Sequence, residues 1–183
     1  KCLNSISLVE KNIEPLLAHK DELIGLGLEG TINKSSHEIL PKLGNLKALN
    51  LDSTTIKSFT YISELPIEKL SLYGRQPSDT LELEKLSELR EFHIKNNSNW
   101  IDFGFLSKLD KLERIKLIYC AKIESVPSLD ELTRLKYIEL SNCNRLIDIQ
   151  ALWKLGKGCS VLATGKQLSK ERLAYQFDKD TGI

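Results

Sequence analysis

The groups best suited to recognising another molecule gather in the middle of the chain: Tyr73, His93, Lys95, Arg114, Lys116, Ile118, Tyr119, Tyr137 and Glu139. His93 and Lys95, Arg114, Lys116 and Ile118, and Tyr137 and Glu139 are each two residues apart. Spacing by two puts such side chains on one face of an extended segment. Tyrosine and arginine bury much area while keeping a polar tip satisfied, which is the chemistry of protein recognition. The same residue types are also ordinary choices for an exposed sheet surface, where strand propensity and solubility select them. If the set is an interface, its excess of Lys, Arg and His over Glu91 and Glu139 points to a partner with an acidic patch. Binding would then weaken with salt. Glu29 and Asp52 could meet a basic edge of that partner.

Catalytic groups are sparse. The three histidines, His19, His37 and His93, fall in different settings, and no serine or cysteine is expected level with His93 as a nucleophile. Glu91 reads as a charge neighbour of His93 rather than its orienting partner. Gly25, Gly27 and Gly30 form no phosphate-cradling loop, because no Lys-Ser or Lys-Thr pair directly follows the last glycine. No metal-ligand spacing occurs, so neither enzyme activity, nor a metal, nor a cofactor is expected.

The elements that position these residues follow from one repeated phrase: apolar, two variable, apolar, one variable, apolar. Its copies are Leu3/Ile6/Leu8, Leu23/Leu26/Leu28, Leu46/Leu49/Leu51, Ile67/Leu70/Leu72, Leu89/Phe92/Ile94, Leu112/Ile115/Leu117, Leu135/Ile138/Leu140 and, more weakly, Gly158/Val161/Ala163. They start 20 to 23 residues apart, the period of a solenoid. Within each phrase the alternation has period two, which predicts a short strand with one buried face. The second half of the repeat changes to period three, as in Trp100, Phe103, Leu106 and Leu109, or Ile123, Val126, Leu129 and Leu132. That period suits 3₁₀ turns packed on the far side of a parallel sheet. The fourth repeat is the least regular, with Leu81, Leu83 and Leu86 as its outer apolar set and Arg75 to Ser78 expected as a protruding loop. Trp100 and Trp153 both fall in the apolar register of the outer segments.

Placing the repeats in register puts the recognition residues in three columns on the strands' variable face. The third position runs from Ser5 through Lys69, Glu91, Arg114 and Tyr137 to Ser160, and the fifth from Ser7 through Ser71, His93, Lys116 and Glu139 to Leu162. The seventh includes Glu29, Asp52, Tyr73, Lys95 and Ile118, with Tyr119 beside it at the eighth. Cys120 and Cys143 hold the ninth position of consecutive repeats, where Thr31, Thr54 and Asn97 stand elsewhere. A small group there can serve backbone amides as the chain turns inward, so a structural role is expected before a disulfide or a metal site. Reduced thiols fit an intracellular setting.

The chain has 183 residues, 41% of them apolar, with 26 Lys and Arg against 25 Asp and Glu and a net charge of +1. So balanced a charge creates no field to attract nucleic acid or an anionic membrane. No apolar run is long enough to span a bilayer.

The repeats resemble those of leucine-rich-repeat proteins of the short, 22-to-23-residue kind. The seventh copy, LKYIELSNCNRLIDIQALWKL, is similar to the cysteine-bearing repeats of plant immune receptors. The ninth position departs from the phosphatase-regulator pattern, and the proline pairs of bacterial ubiquitin ligases are missing. The resemblance implies an α/β solenoid over residues 1–164, with a curved parallel sheet lining a concave face and 3₁₀ or short helical segments outside. Residues 165–183 are expected to cap it, with a helix from Ser169 to Phe177; nothing caps Leu3, so further sequence upstream is expected. The implied function is a non-enzymatic, monomeric, soluble scaffold that binds a protein on its concave face, as the recognition part of a larger effector or receptor. An antagonist that occludes a toxin or enzyme active site is the alternative.

Overall fold

The computed structural model describes residues 5–9, 12–52, 56–156 and 158–164. The expected C-terminal capping helix, Thr54 and the segment around Leu3 lie outside them.

Eight parallel strands form one sheet in chain order. They are β1 (Ser5–Leu8), β2 (Gly25–Glu29), β3 (Ala48–Asp52), β4 (Lys69–Tyr73), β5 (Glu91–Lys95), β6 (Arg114–Ile118), β7 (Tyr137–Ser141) and β8 (Ser160–Thr164). Each phrase yields one strand, and the pairing joins equivalent residues: Leu70 with Phe92, Phe92 with Ile115, Ile115 with Ile138. A slip of one residue would turn the leucines to solvent, so the buried face fixes the register.

The return segments form 3₁₀ turns at Glu14–His19, Leu40–Lys42, Phe59–Tyr61, Thr80–Lys85 and Gly104–Lys108, and two short α-helices, α1 (Lys34–Ile39) and α2 (Gln150–Trp153). Strands stack about 4.8 Å apart, whereas the outer segments are bulkier, so the sheet takes the inner side of the curve. The core is the layer between them. Ile56, Phe59, Ile62 and Leu65, then Trp100, Phe103, Leu106 and Leu109, then Ile123, Val126, Leu129 and Leu132 all bury there, as their period of three requires. Trp100 packs edge-on against Phe59, Phe103 and Phe105, and parallel to Phe92.

Three sequence expectations change. The segment from Arg75 to Ser78 is pinned rather than free: Arg75 and Ser78 are exposed, but Gln76 is buried, its carbonyl accepts from Asn99 Nδ2 at 2.7 Å, and the Pro77 carbonyl accepts from Trp100 Nε1 at 2.6 Å. Leu81 leaves the core at 71% exposure, while Leu83 and Leu86 stay in it. Thr31 is exposed rather than inward, because the second repeat turns through Ile32 into α1, where Asn33 Oδ1 caps the Ser36 amide at 2.9 Å.

At the ninth position Asn97 performs the expected service. Its Oδ1 accepts from the amides of Trp100 at 2.8 Å and Asn99 at 3.2 Å. Cys120 and Cys143 are buried free thiols that meet each other and reach carbonyls, Cys120 at 3.9 Å and Cys143 at 3.4 and 3.7 Å. The Cys120 thiol is pushed far above its ordinary range by its contact with Cys143 and by burial.

One residue before the sheet's first outward column, Lys47, Glu68, Arg90, Glu113 and Lys136 alternate in sign along consecutive repeats. Lys47 pairs with Glu68 at 2.8 Å, and Glu68 with Arg90 at 3.9 Å; Arg90 reaches Glu113 at 3.1 Å, and Glu113 reaches Lys136 at 2.7 Å. Each exposed pair alone contributes little, but a continuous row couples neighbouring repeats. The Glu113 carboxyl lies below its ordinary value through hydrogen bonds from Lys136 and Arg90, and Glu68 lies below it chiefly through Lys47.

Candidate functional site

The strand register sets the recognition residues side by side on the concave face. Lys69, Glu91, Arg114 and Tyr137 occupy one row across β4 to β7, and Ser71, His93, Lys116 and Glu139 the next. Tyr73, Lys95, Ile118 and Ser141 form the third row. Every expected member except Tyr119 therefore lies within the strands, and Tyr119 follows directly on β6.

The rows are knit into local clusters. Lys116 Nζ stands 5.5 Å from the centre of the Tyr137 ring, a cation–π arrangement, and 3.5 Å from Glu139 Oε2. Glu139 also accepts from Tyr137 Oη at 3.1 Å and Ser141 Oγ at 2.9 Å. Desolvation raises the Glu139 carboxyl, but those hydrogen bonds and the Lys116 charge outweigh it and hold the group below its ordinary value. The Tyr137 hydroxyl is raised, first by desolvation and then by Glu139. On the other side, Tyr73 meets the His93 ring edge-on at 5.3 Å.

Two ion pairs reduce the basic excess that the sequence implies, since Lys69 neutralises Glu91 at 3.0 Å as Lys116 does Glu139. Lys95 and Arg114 are left as concave-face cations with no carboxylate partner among the described residues. The net positive character is real but rests on these two groups.

His93 differs from expectation in one respect. Ser71 stands directly beside it in the register, so a serine does occur at its level. No hydrogen bond joins them, and His93 Nε2 is buried with no partner at all. Burial first, then the charges of Lys116 and Lys95 against the opposing pull of Glu139, hold the imidazole below its ordinary value, so it is neutral near pH 7. His37 lies in α1 and His19 at the end of the first 3₁₀ turn, both away from the sheet. Among the described residues no cluster of His, Cys, Asp or Glu could hold a metal ion, and no helix is long and apolar enough to cross a membrane.

The backbone adds a feature that the residue columns do not reveal. The eighth position of the repeat is left-handed at Gly30, Gly74, Asn96, Tyr119 and Asn142, with φ of 78°, 81°, 58°, 55° and 57°. Glycine and asparagine tolerate this region, whereas a tyrosine there carries strain of about 1 kcal/mol. Tyr119 is also 49% exposed, next to half-buried Ile118. The Gly, Gly, Asn, Asn series was the available signal for this turn, and Tyr119 is the exception that it isolates.

Toward β1 the concave face is different. Ser5, Ser7, Gly25, Gly27, Ala48 and Asn50 leave a shallow cavity of about 370 Å³. A Cβ at Gly25 would come within 2.8 Å of Ser5 Oγ, and one at Gly27 within 2.8 Å of Ser7 Oγ, so these glycines let the serines of β1 lie against β2. Apart from Glu29 and Asp52 at its seventh-position edge, this half carries small side chains and offers mainly shape.

No family model and no curated protein sequence matches the chain. Solved structures do. Internalin C2 from Listeria monocytogenes is similar at 24% identity and a TM-score of 0.55, over 70% of this chain and 55% of that one. The leucine-rich-repeat domain of the type III effector XopL is similar at 16% identity and a TM-score of 0.62, over 92% of this chain and 71% of that one. This chain thus spans about half the length of the internalin.

Proposed function

The chain has the leucine-rich-repeat fold, and we propose that it is a non-enzymatic scaffold that binds a protein partner through the concave face of β4 to β7. The observation that carries this reading is the grouping of Tyr73, Lys95, Arg114, Ile118, Tyr119 and Tyr137 on one open sheet surface. Two of them, Lys95 and Arg114, have no internal counter-charge among the described residues. Half-buried aromatic rings flanked by unpaired cations are the composition of an interface centre rather than of an idle solvent face. The similarity to an effector's repeat domain and to an internalin supports a role as the recognition part of a larger protein. The partner presents an acidic patch, matched to Lys95 and Arg114, and its association rate falls as salt rises.

The test is affinity capture with the wild type beside a Tyr73→Ala/Lys116→Ala/Tyr137→Ala variant shown to be folded by circular dichroism. A protein retained by the wild type and lost by the variant supports the concave face. Equal retention by both, together with loss on changing the outer segments, refutes it.

A further inference from the structure

Between β4, β5 and β6 the concave face holds a depression of about 240 Å³ lined by Lys69, Ser71, Glu91, His93, Arg114 and Lys116. It is too small for a typical organic cofactor and of the right order for the end of one side chain. Its lining carries three cations against one carboxylate. Lys69 is paired with Glu91, and Lys116 with Glu139 outside it, so Arg114 is the cation still lacking a counter-charge. The same depression is lined by His93, whose buried Nε2 has no hydrogen-bond partner. That nitrogen is closed off from solvent, so His93 would sense a charge bound in the depression through space rather than ligate it.

We propose that this depression is a carboxylate site, which takes one Asp or Glu side chain of the protein partner on the Arg114 guanidinium, with His93 beside it. The assignment rests on the concave-face reading and deepens it. Arginine's planar fork matches a carboxylate with two parallel hydrogen bonds. One unpaired cation balances a single negative charge. A phosphoryl group brings close to two and would face Glu91 as well, so it fits less well.

The site couples binding to pH. The groups around His93 are Lys69, Ser71 and Tyr73 from β4, Glu91 and Lys95 from β5, Arg114 and Lys116 from β6, and Glu139 from β7. In the free protein, burial and the lysines disfavour the imidazolium. A bound carboxylate favours it, so the His93 pKa rises on binding and affinity increases as pH falls through that range.

The experiment is an NMR titration of the His93 ring in the full chain with N-acetylglutamate and N-acetylglutamine, both as their α-N-methylamides so that the first keeps one carboxylate and the second none, and with inorganic phosphate as probes. N-acetylglutamate is expected to raise the His93 pKa by about one pH unit, equivalent to about tenfold tighter binding to the protonated form. N-acetylglutamine should leave it unmoved, and phosphate at equal ionic strength should act more weakly. Arg114→Gln should abolish the response while the buried His37 signals stay in place, showing that the fold is kept. A larger response to phosphate, a response that survives Arg114→Gln, or no movement at tens of millimolar N-acetylglutamate each overturns the assignment. Capture separates this site from the broader reading: a partner lost by the concave triple variant while His93 ignores N-acetylglutamate leaves the concave face standing and removes only the pocket.

Discussion

Asn97→Ala should destabilise the array by about 3 kcal/mol, because of where its side chain sits rather than its size. Asn97 is fully buried, and its Oδ1 accepts from the Trp100 and Asn99 amides at 2.8 and 3.2 Å. Its Nδ2 reaches back one repeat to the Gly74 carbonyl at 3.4 Å. Alanine leaves the amide of buried Trp100 unmet, at a cost of about 1 to 3 kcal/mol. Asn99 is only half-buried, so water can partly replace its lost bond and the added cost is about 0.5 to 1 kcal/mol. The long contact to Gly74 and the vacated volume contribute the rest. Cys120→Ala is the matched comparison. Its thiol meets the Ile118 carbonyl at 3.9 Å and the Cys143 thiol, contacts weaker than those of the Asn97 amide, so about 1 kcal/mol is expected. Equilibrium urea unfolding in a Trp153→Phe background isolates the fluorescence of Trp100, which sits beside Asn97 in the core. With a slope of about 2 kcal/mol per molar urea, Asn97→Ala should lower the midpoint by about 1.5 M and Cys120→Ala by about 0.5 M. Equal midpoints for the two variants would show that the ninth position is a space-filling site and not an amide-binding one.

Other substitutions test the remaining claims. Tyr119→Asn should change stability by less than about 1 kcal/mol, since relief of left-handed strain offsets the lost ring contacts, while Tyr119→Val should cost about 1 to 2 kcal/mol more than Tyr119→Asn by thermal unfolding. Equal stability of the two would mean that the backbone does not hold its left-handed turn. Acid should weaken the solenoid through its charge row: Glu68 and Glu113 titrate below the usual 4.5, so their contribution is present above that value and is lost as pH falls through their lowered pKa values. Urea midpoints between pH 6 and pH 3 should fall more steeply for the wild type than for Glu113→Gln, and parallel curves would contradict the coupling. Lys95→Ala should leave the unfolding free energy from urea titration within about 0.5 kcal/mol of wild type, because this cation supports no internal pair; a larger loss would assign it to the fold instead of the face.

The repeat phrase made the sheet readable residue by residue. Once Leu70, Phe92, Ile115 and Ile138 are known to be buried, period-two alternation fixes which residues share a face, and the three rows follow without further information. What pairs with what inside those rows was not readable. Whether Lys116 turns to Glu139 and Tyr137, or Lys69 to Glu91, depends on side-chain rotamers across neighbouring strands, which composition does not encode. The depression at His93 arises from the same cause. The buried position of Gln76 depends on Asn99, one repeat onward, so a local reading of Arg-Gln-Pro-Ser as an exposed loop misses the partner that pins it. Thr31 turned outward because Asn33 supplies a better helix cap two residues later. The left-handed eighth position was visible in Gly30, Gly74, Asn96 and Asn142, yet nothing about a tyrosine signals that backbone, and the left-handed turn at Tyr119 emerged only from its φ.

The most direct measurement is the affinity of the captured partner, by calorimetry, for wild type, Lys95→Glu and Lys108→Glu. The two reversals change net charge equally, one on the concave sheet and one on an exposed outer turn. Concave binding requires at least about a tenfold loss for Lys95→Glu with Lys108→Glu within about twofold of wild type. An unchanged affinity for Lys95→Glu beside a large loss for Lys108→Glu would place the interface on the outer side and contradict the central claim.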